Sequence, residues 1–222
     1  MCVTRTGRWA ESLRHTIRRV YDPTTRTPVP WLLSGDAALA LQGVDVEPDV
    51  IEFRAISPFA AAYFAQFMKP YEVPANKATI IYRRGGNVPP SESWHSNVHQ
   101  RIVAWSGGGR ACWFGRWLVD GATVQVSYLR SVYSDPVAQA VRPEAEVRRA
   151  SFEGNLDVAV VPIEFLLAES AATNDAQFTR RILHAMRSCG YSTDLLRSAL
   201  DMLPSEKASR LTRLLEFSLV AG

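Results

Sequence analysis

Lysine is almost missing from this chain. Among 25 basic residues only Lys69, Lys77 and Lys207 are lysine, so arginine supplies the other 22. Arginine's planar fork suits phosphate and carboxylate partners, but a GC-rich genome produces the same skew. A formal net charge of +3 is too small to argue for nucleic acid. Cysteine is scarce too: Cys2, Cys112 and Cys189 are far apart, odd in number and form no CxxC pair. That pattern gives no disulfide framework and fits a reducing compartment. No apolar run approaches the roughly 18 residues that a membrane span requires. The arginine-bearing N-terminal stretch lacks the apolar core of a secretory signal. A cytoplasmic protein with no membrane partner is therefore expected. Internal repeats and low-complexity tracts are missing as well, and 222 residues at 47% hydrophobic suffice for one full domain or one and a half.

What is present divides into a mixed front and a helical tail. Trp9, Leu13, Ile17 and Val20 stand at helical spacing, and Pro23 stops the pattern. The apolar run Trp31-Leu32-Leu33 predicts a short strand that runs into a helix over 37–42, closed by Gly43. Residues 50–55 alternate, with Ile51, Phe53 and Ala55 on one face and Val50, Glu52 and Arg54 on the other. Ser57-Pro58 is a cap and first-turn pair for a helix over 58–68. Strands are expected over 79–84 and 96–105, and Asp120-Gly121 marks a hairpin between CWFGRWLV and ATVQVSYL. From Val160 onward the pattern is a succession of short helices beginning at Pro162. Strands that follow one another as hairpins argue against a doubly wound sheet. The expected class is α+β: a mixed β-sheet with flanking helices and a C-terminal helical region. The expected parts are an N-terminal helix and loop (1–29), an α/β domain (30–150) and a helical region packed on it (151–222).

The run WLLSGDAALALQGVDVEPDVIEFRA resembles the opening motif of the nucleotidyltransferase superfamily, the polymerase-β-like fold, in its small bacterial and archaeal form. In that family a strand delivers Gly-Ser or Gly-Gly to a short helix, and a second strand, just past a proline, carries Asp-x-Asp. Here Gly35-Asp36 and Pro48 take those places. SPFAAAYFAQFM stands where the family's next helix does, and LVDGATVQVSY resembles the hairpin that brings in a third carboxylate. VAVVPIEFLLAES resembles a later family helix, so the resemblance runs over roughly residues 30–190. It implies a nucleotidyltransferase-like domain and transfer of a nucleoside monophosphate from a triphosphate to a hydroxyl. That chemistry uses one or two magnesium ions held by carboxylates. Acids two apart on a strand point to one face, which is why Asp-x-Asp works.

The sequence departs from the family at those positions. Aligned on Pro48, the strand acids fall on Val50 and Glu52, and the third falls on Gln125. Asp36 puts a negative charge where incoming phosphates would meet backbone N–H groups. One carboxylate of three remains, and a lone glutamate cannot hold two divalent cations. Two substitutes are conceivable: Asp49 turned onto the Glu52 face by a bulge, or Asp36 swung in to complete a cluster with Asp49 and Glu52.

Three functions stay open on the sequence. The first is a degenerate family member, a pseudoenzyme that requires no cofactor. It acts by binding a nucleotide at Gly35, Asp36 and Arg54, or by binding a partner protein, in a regulatory or toxin–antitoxin-like setting such as small family members occupy. The second is a working magnesium enzyme with Glu52 and Asp49 as ligands. The third, ranked last for want of any RNA motif, is an RNA-binding module. Arg54 is also placed to pair with Glu52, which would turn a former metal site into a salt bridge.

Other candidates have plainer explanations. His95 and His99 show i, i+4 spacing but lack the further ligands zinc requires; His95 is kept as a weak contact candidate. Gly107-Gly108-Gly109-Arg110 matches neither phosphate-loop pattern and is expected to be a turn. Arg83-Arg84 could form a basic wall or a solvated strand end. Trp94, Trp105, Trp113 and Trp117 cluster, and Trp113 and Trp117 share strand parity. The expectation is a wide aromatic strand face that meets a protein partner.

Overall fold

A computed structural model describes residues 8–21, 30–74, 93–107, 110–131, 148–152 and 156–220. Helix α1 (Arg8–Val20) buries Trp9, Leu13, Ile17 and Val20, the stripe that its periodicity predicts. It is tied to the sheet by Ser12, whose Oγ donates to the Val119 carbonyl at 2.6 Å. Strand β1 (Trp31–Ser34) is buried along its whole length and passes directly into α2 (Gly35–Leu41). Strand β2 (Val50–Ala55) follows, then α3 (Pro58–Phe67), which starts as expected, with Ser57 Oγ accepting from Ala60 N at 3.0 Å and Pro58 in the first turn. A single 3-10 turn spans Lys69–Tyr71.

Strands β3 (Val103–Gly107), β4 (Arg110–Val119) and β5 (Ala122–Ser131) form an antiparallel meander. Asp120 (φ 49°) and Gly121 (φ 85°) join β4 to β5. Two positive φ values in a two-residue loop make the turn whose twist suits a hairpin. Strands β6 (Arg148–Phe152) and β7 (Leu156–Val160) form a further hairpin. Four helices close the described chain: α4 (Ile163–Thr173), α5 (Ala176–Cys189), α6 (Thr193–Leu200) and α7 (Ser205–Val220).

The seven strands among the described residues belong to one mixed sheet of order β3-β4-β5-β2-β1-β7-β6. Strand β2 runs antiparallel to β1 and parallel to β5, and β1 runs parallel to β7. The class is α+β, and the succession strand, helix, strand, helix, hairpin is the one that the family resemblance implies. Phe64 of α3 centres the core on one sheet face, 5.3 Å from Trp31, 5.0 Å from Phe53 and 5.9 Å from Trp117 between ring centroids. Burying each such side chain contributes about 1.5 to 3 kcal/mol.

Three sequence expectations need correction. The strand expected over 96–105 begins only at Val103. Before it Asn97 makes a tight turn, its Oδ1 accepting from His99 N and Gln100 N at 3.0 Å each. The hairpin β6–β7 went unread; it straddles the expected boundary at 150/151 and docks on β1, Val161 N donating to the Leu33 carbonyl at 2.8 Å. Trp117 is fully buried against Phe64, and Trp113 is half-buried with its ring 5.4 Å from Tyr128. The aromatic strand face is therefore core at Trp117, not an open surface. The strand expected over 79–84, with Arg83 and Arg84, lies outside the described residues, as do Gly108 and Gly109.

Candidate functional site

The site is built where β1 ends. Gly35 turns the chain from strand to helix at φ +58°, a conformation that side chains disfavour. A Cβ there would lie 3.4 Å from Glu52 Oε2, so the turn sits tightly over the next strand. That neighbour is set by register: Ser34 pairs with Glu52 across the β1–β2 ladder. Alternation along β2 buries Ile51, Phe53 and Ala55 and turns Val50, Glu52 and Arg54 the other way, as expected. On the far side β5 is in register, with Val50 opposite Thr123, Glu52 opposite Gln125 and Arg54 opposite Ser127.

A cleft of about 310 Å³ opens over these ends, lined by Gly35, Asp36, Asp49, Val50, Glu52, Gln125, Glu169 and Phe178. Every position singled out by the motif meets here: the turn residues, the strand positions and the hairpin position. Glu169 and Phe178, from α4 and α5, were not foreseen. The available signal for Glu169 was its place directly after the apolar run Phe165–Ala168, since a carboxylate in a packed helix needs a polar partner.

That partner is Arg54. Its terminal nitrogen donates to Glu169 Oε1 at 3.1 Å, and its Nε lies 3.0 Å from Glu52 Oε1. The second contact is a charge contact, because the Nε–H is not aligned on the oxygen. Glu52 Oε1 also accepts from Ser127 Oγ at 3.2 Å. The three charged side chains are only 16–25% exposed, so water screens them weakly. Arg54 thus sits between two carboxylates, the salt bridge that the strand alternation allowed.

Asp36 occupies the first turn of α2, a helix of only seven residues. Burial pushes its carboxyl above the usual aspartate range; nearby Asp49 and Asp175 push the same way, and Arg181 opposes them. Asp49 lines the cleft, but not through a bulge: the β2–β5 ladder runs unbroken from Val50 to Arg54. Among the described residues no group of three or more His, Cys, Asp or Glu side chains is gathered to hold a metal ion. Of the three positions at which the resembled family carries acids, Val50 and Gln125 bring no carboxylate, and Glu52 is engaged by Arg54 and Ser127.

His95 stands outside this cleft, its Nδ1 3.2 Å from the Ser93 carbonyl, and His99 lies in the turn made by Asn97. Glu164, fully buried, accepts from Ser192 N at 2.6 Å and so fastens α4 to the start of α6. No helix among the described residues is long and apolar enough to cross a membrane.

No family model matches the chain, and no curated protein matches it. Among solved structures it is similar to one from Thermotoga maritima described as "a putative nucleotidyltransferase". The two share 19% sequence identity at a TM-score of 0.48, over 78% of this chain and 93% of that one.

Proposed function

We propose that this protein is a nucleotidyltransferase-fold pseudoenzyme that works by binding, in a regulatory role, and not by transferring nucleotides. The observation that carries this is the Glu52–Arg54–Glu169 network. The one acid left at the three motif positions is held by an arginine of its own strand, while Val50 and Gln125 fill the other two. A cation fixed beside Glu52 opposes entry of a divalent ion by like-charge repulsion and occupies an oxygen the metal would need.

Of the two kinds of ligand considered, the cleft favours a partner protein over a free triphosphate. Asp36, Asp49, Glu52 and Glu169 line it with four carboxylates and no cationic side chain; Arg54 and Arg181 act on them from outside the lining. Phosphates would meet negative charge there, in a half-buried setting where Coulomb forces are stronger than in water.

The test is calorimetric titration of the whole chain with ATP, GTP, CTP and UTP, each with and without magnesium. The expected result is no magnesium-dependent heat with any of them. Magnesium-dependent binding that disappears in Glu52→Ala overturns the proposal and restores the enzyme reading with Glu52 and Asp49 as ligands. Magnesium-independent binding keeps the pseudoenzyme but makes its ligand a nucleotide.

A further inference from the structure

A second cavity, far in sequence from the motif, lies in the helical tail. It opens between the end of α4, α5 and α7 and has a volume of about 310 Å³. Its floor is apolar: Leu183 of α5 and Leu211 of α7 are buried, and Leu214, one turn on from Leu211's side of α7, remains 41% exposed at the edge. Leaving an apolar surface of this kind open to water is unfavourable unless something covers it.

The rim has the opposite character. Arg180, Lys207 and Arg210 line it against a single carboxylate, Glu206. Lys207 is already engaged, its Nζ donating to the Ala172 carbonyl at the C-terminal end of α4. No ion pair joins Arg180 or Arg210 to any carboxylate among the described residues. Two guanidinium groups without carboxylate partners therefore stand over a leucine-lined hollow. Guanidinium pairs with carboxylate in a planar, two-bond geometry that an ammonium cannot reproduce.

We propose that this cavity binds a medium-chain amphipathic carboxylate, with the alkyl chain against Leu183, Leu211 and Leu214 and the head at Arg180 and Arg210. The volume sits near the lower end of the ~300 to 1,000 Å³ typical of small-molecule sites, which selects a short single chain. The ligand joins α5 to α7, two helices otherwise meeting along only part of their length, and so stiffens the tail on which Glu169 and Phe178 of the cleft are carried.

The experiment is titration of the whole chain with octanoate and with 1-octanol, below the concentrations at which either aggregates, read by calorimetry and by the shift in thermal midpoint. Saturable one-to-one binding of octanoate is expected, about tenfold or more tighter than 1-octanol, because the alcohol cannot form the charge-assisted bonds. Arg180→Gln combined with Arg210→Gln lowers octanoate affinity about tenfold and leaves octanol unchanged. Leu214→Trp, at the exposed edge where folding is not at stake, narrows the cavity and weakens both. Glu52→Ala leaves binding unaltered, which separates this site from the cleft. An absence of saturable octanoate binding, equal affinity for octanol, or affinity untouched by the arginine replacements would each overturn the proposal.

Discussion

Arg54 lies two residues beyond Glu52 on the same strand face and holds two carboxylates at once, with Nε 3.0 Å from Glu52 Oε1 and its terminal nitrogen 3.1 Å from Glu169 Oε1. Removing the cation leaves two weakly solvated carboxylates in one cleft. Breaking a buried pair is costlier than breaking a surface one, and this pair is between those limits. Arg54→Met is expected to lower stability by about 1 to 3 kcal/mol, measured as the urea midpoint. Adding Glu52→Gln to it should recover part of the loss, because one of the stranded charges is gone. Two losses that simply add would mean that the residues do not interact.

The turn at Gly35 yields a second expectation. Alanine there meets a left-handed backbone (φ +58°) and brings a Cβ to 3.4 Å from Glu52 Oε2. The conformational cost is about 1 to 2 kcal/mol. For a chain of this size that lowers the thermal midpoint by roughly 2 to 8 °C. A midpoint within a degree of the wild type would show that residue 35 is free to leave the left-handed region, and that the turn does not depend on glycine.

Asp36 makes stability depend on pH in an unusual direction for a carboxylate. Burial raises its folded pKa above the usual aspartate range. The folded state then binds the proton more tightly than the unfolded one, so this group favours folding below its unfolded pKa, and that contribution is lost as pH rises through its folded pKa. Asp36→Asn removes the titration. Its urea midpoint relative to wild type should rise from acid toward neutral pH, the change starting at the unfolded pKa and ending above the folded one. A difference between the two proteins that stays constant over pH 3 to 7 would contradict the assigned environment.

Most of the front half was legible because local chemistry and tertiary structure agree there. The stripe of α1, the Ser57-Pro58 start of α3 and the Asp120-Gly121 turn are each specified within a few residues. The motif positions Gly35, Val50, Glu52 and Gln125 were legible by spacing, and the pairing of Glu52 with Gln125 brings them together. What was hidden is non-local. Strand β7 finds β1 across more than a hundred residues, and no turn chemistry announces that contact. Glu169 reaches Arg54 from 115 positions away. The 96–105 segment misled because its apolar end, Ile102-Val103-Ala104-Trp105, reads as a strand and was extended back to Ser96, whereas Asn97 turns the chain with its side-chain oxygen.

Trp113 and Trp117 share a strand face but not an environment, and substitution should separate them. Trp117 is fully buried beside Phe64, and the strand makes space for it at Gly115, where a Cβ would come within 2.5 Å of the Trp117 ring and 2.9 Å of Ile102. Trp117→Ala therefore opens a large cavity in the main core and should cost about 3 to 5 kcal/mol. Trp113 is half-buried and packs on Tyr128, so Trp113→Ala forfeits mainly that ring contact, about 0.5 to 1.5 kcal/mol, plus some area. Gly115→Ala adds a methyl group where backbone and ring leave no room, and about 1 to 3 kcal/mol is expected. Urea midpoints of the three variants rank the positions directly. A Trp113→Ala loss as large as that of Trp117→Ala would place both rings in one core. A Trp117→Ala loss below 1 kcal/mol would return the aromatic face to the surface, where a partner could use it.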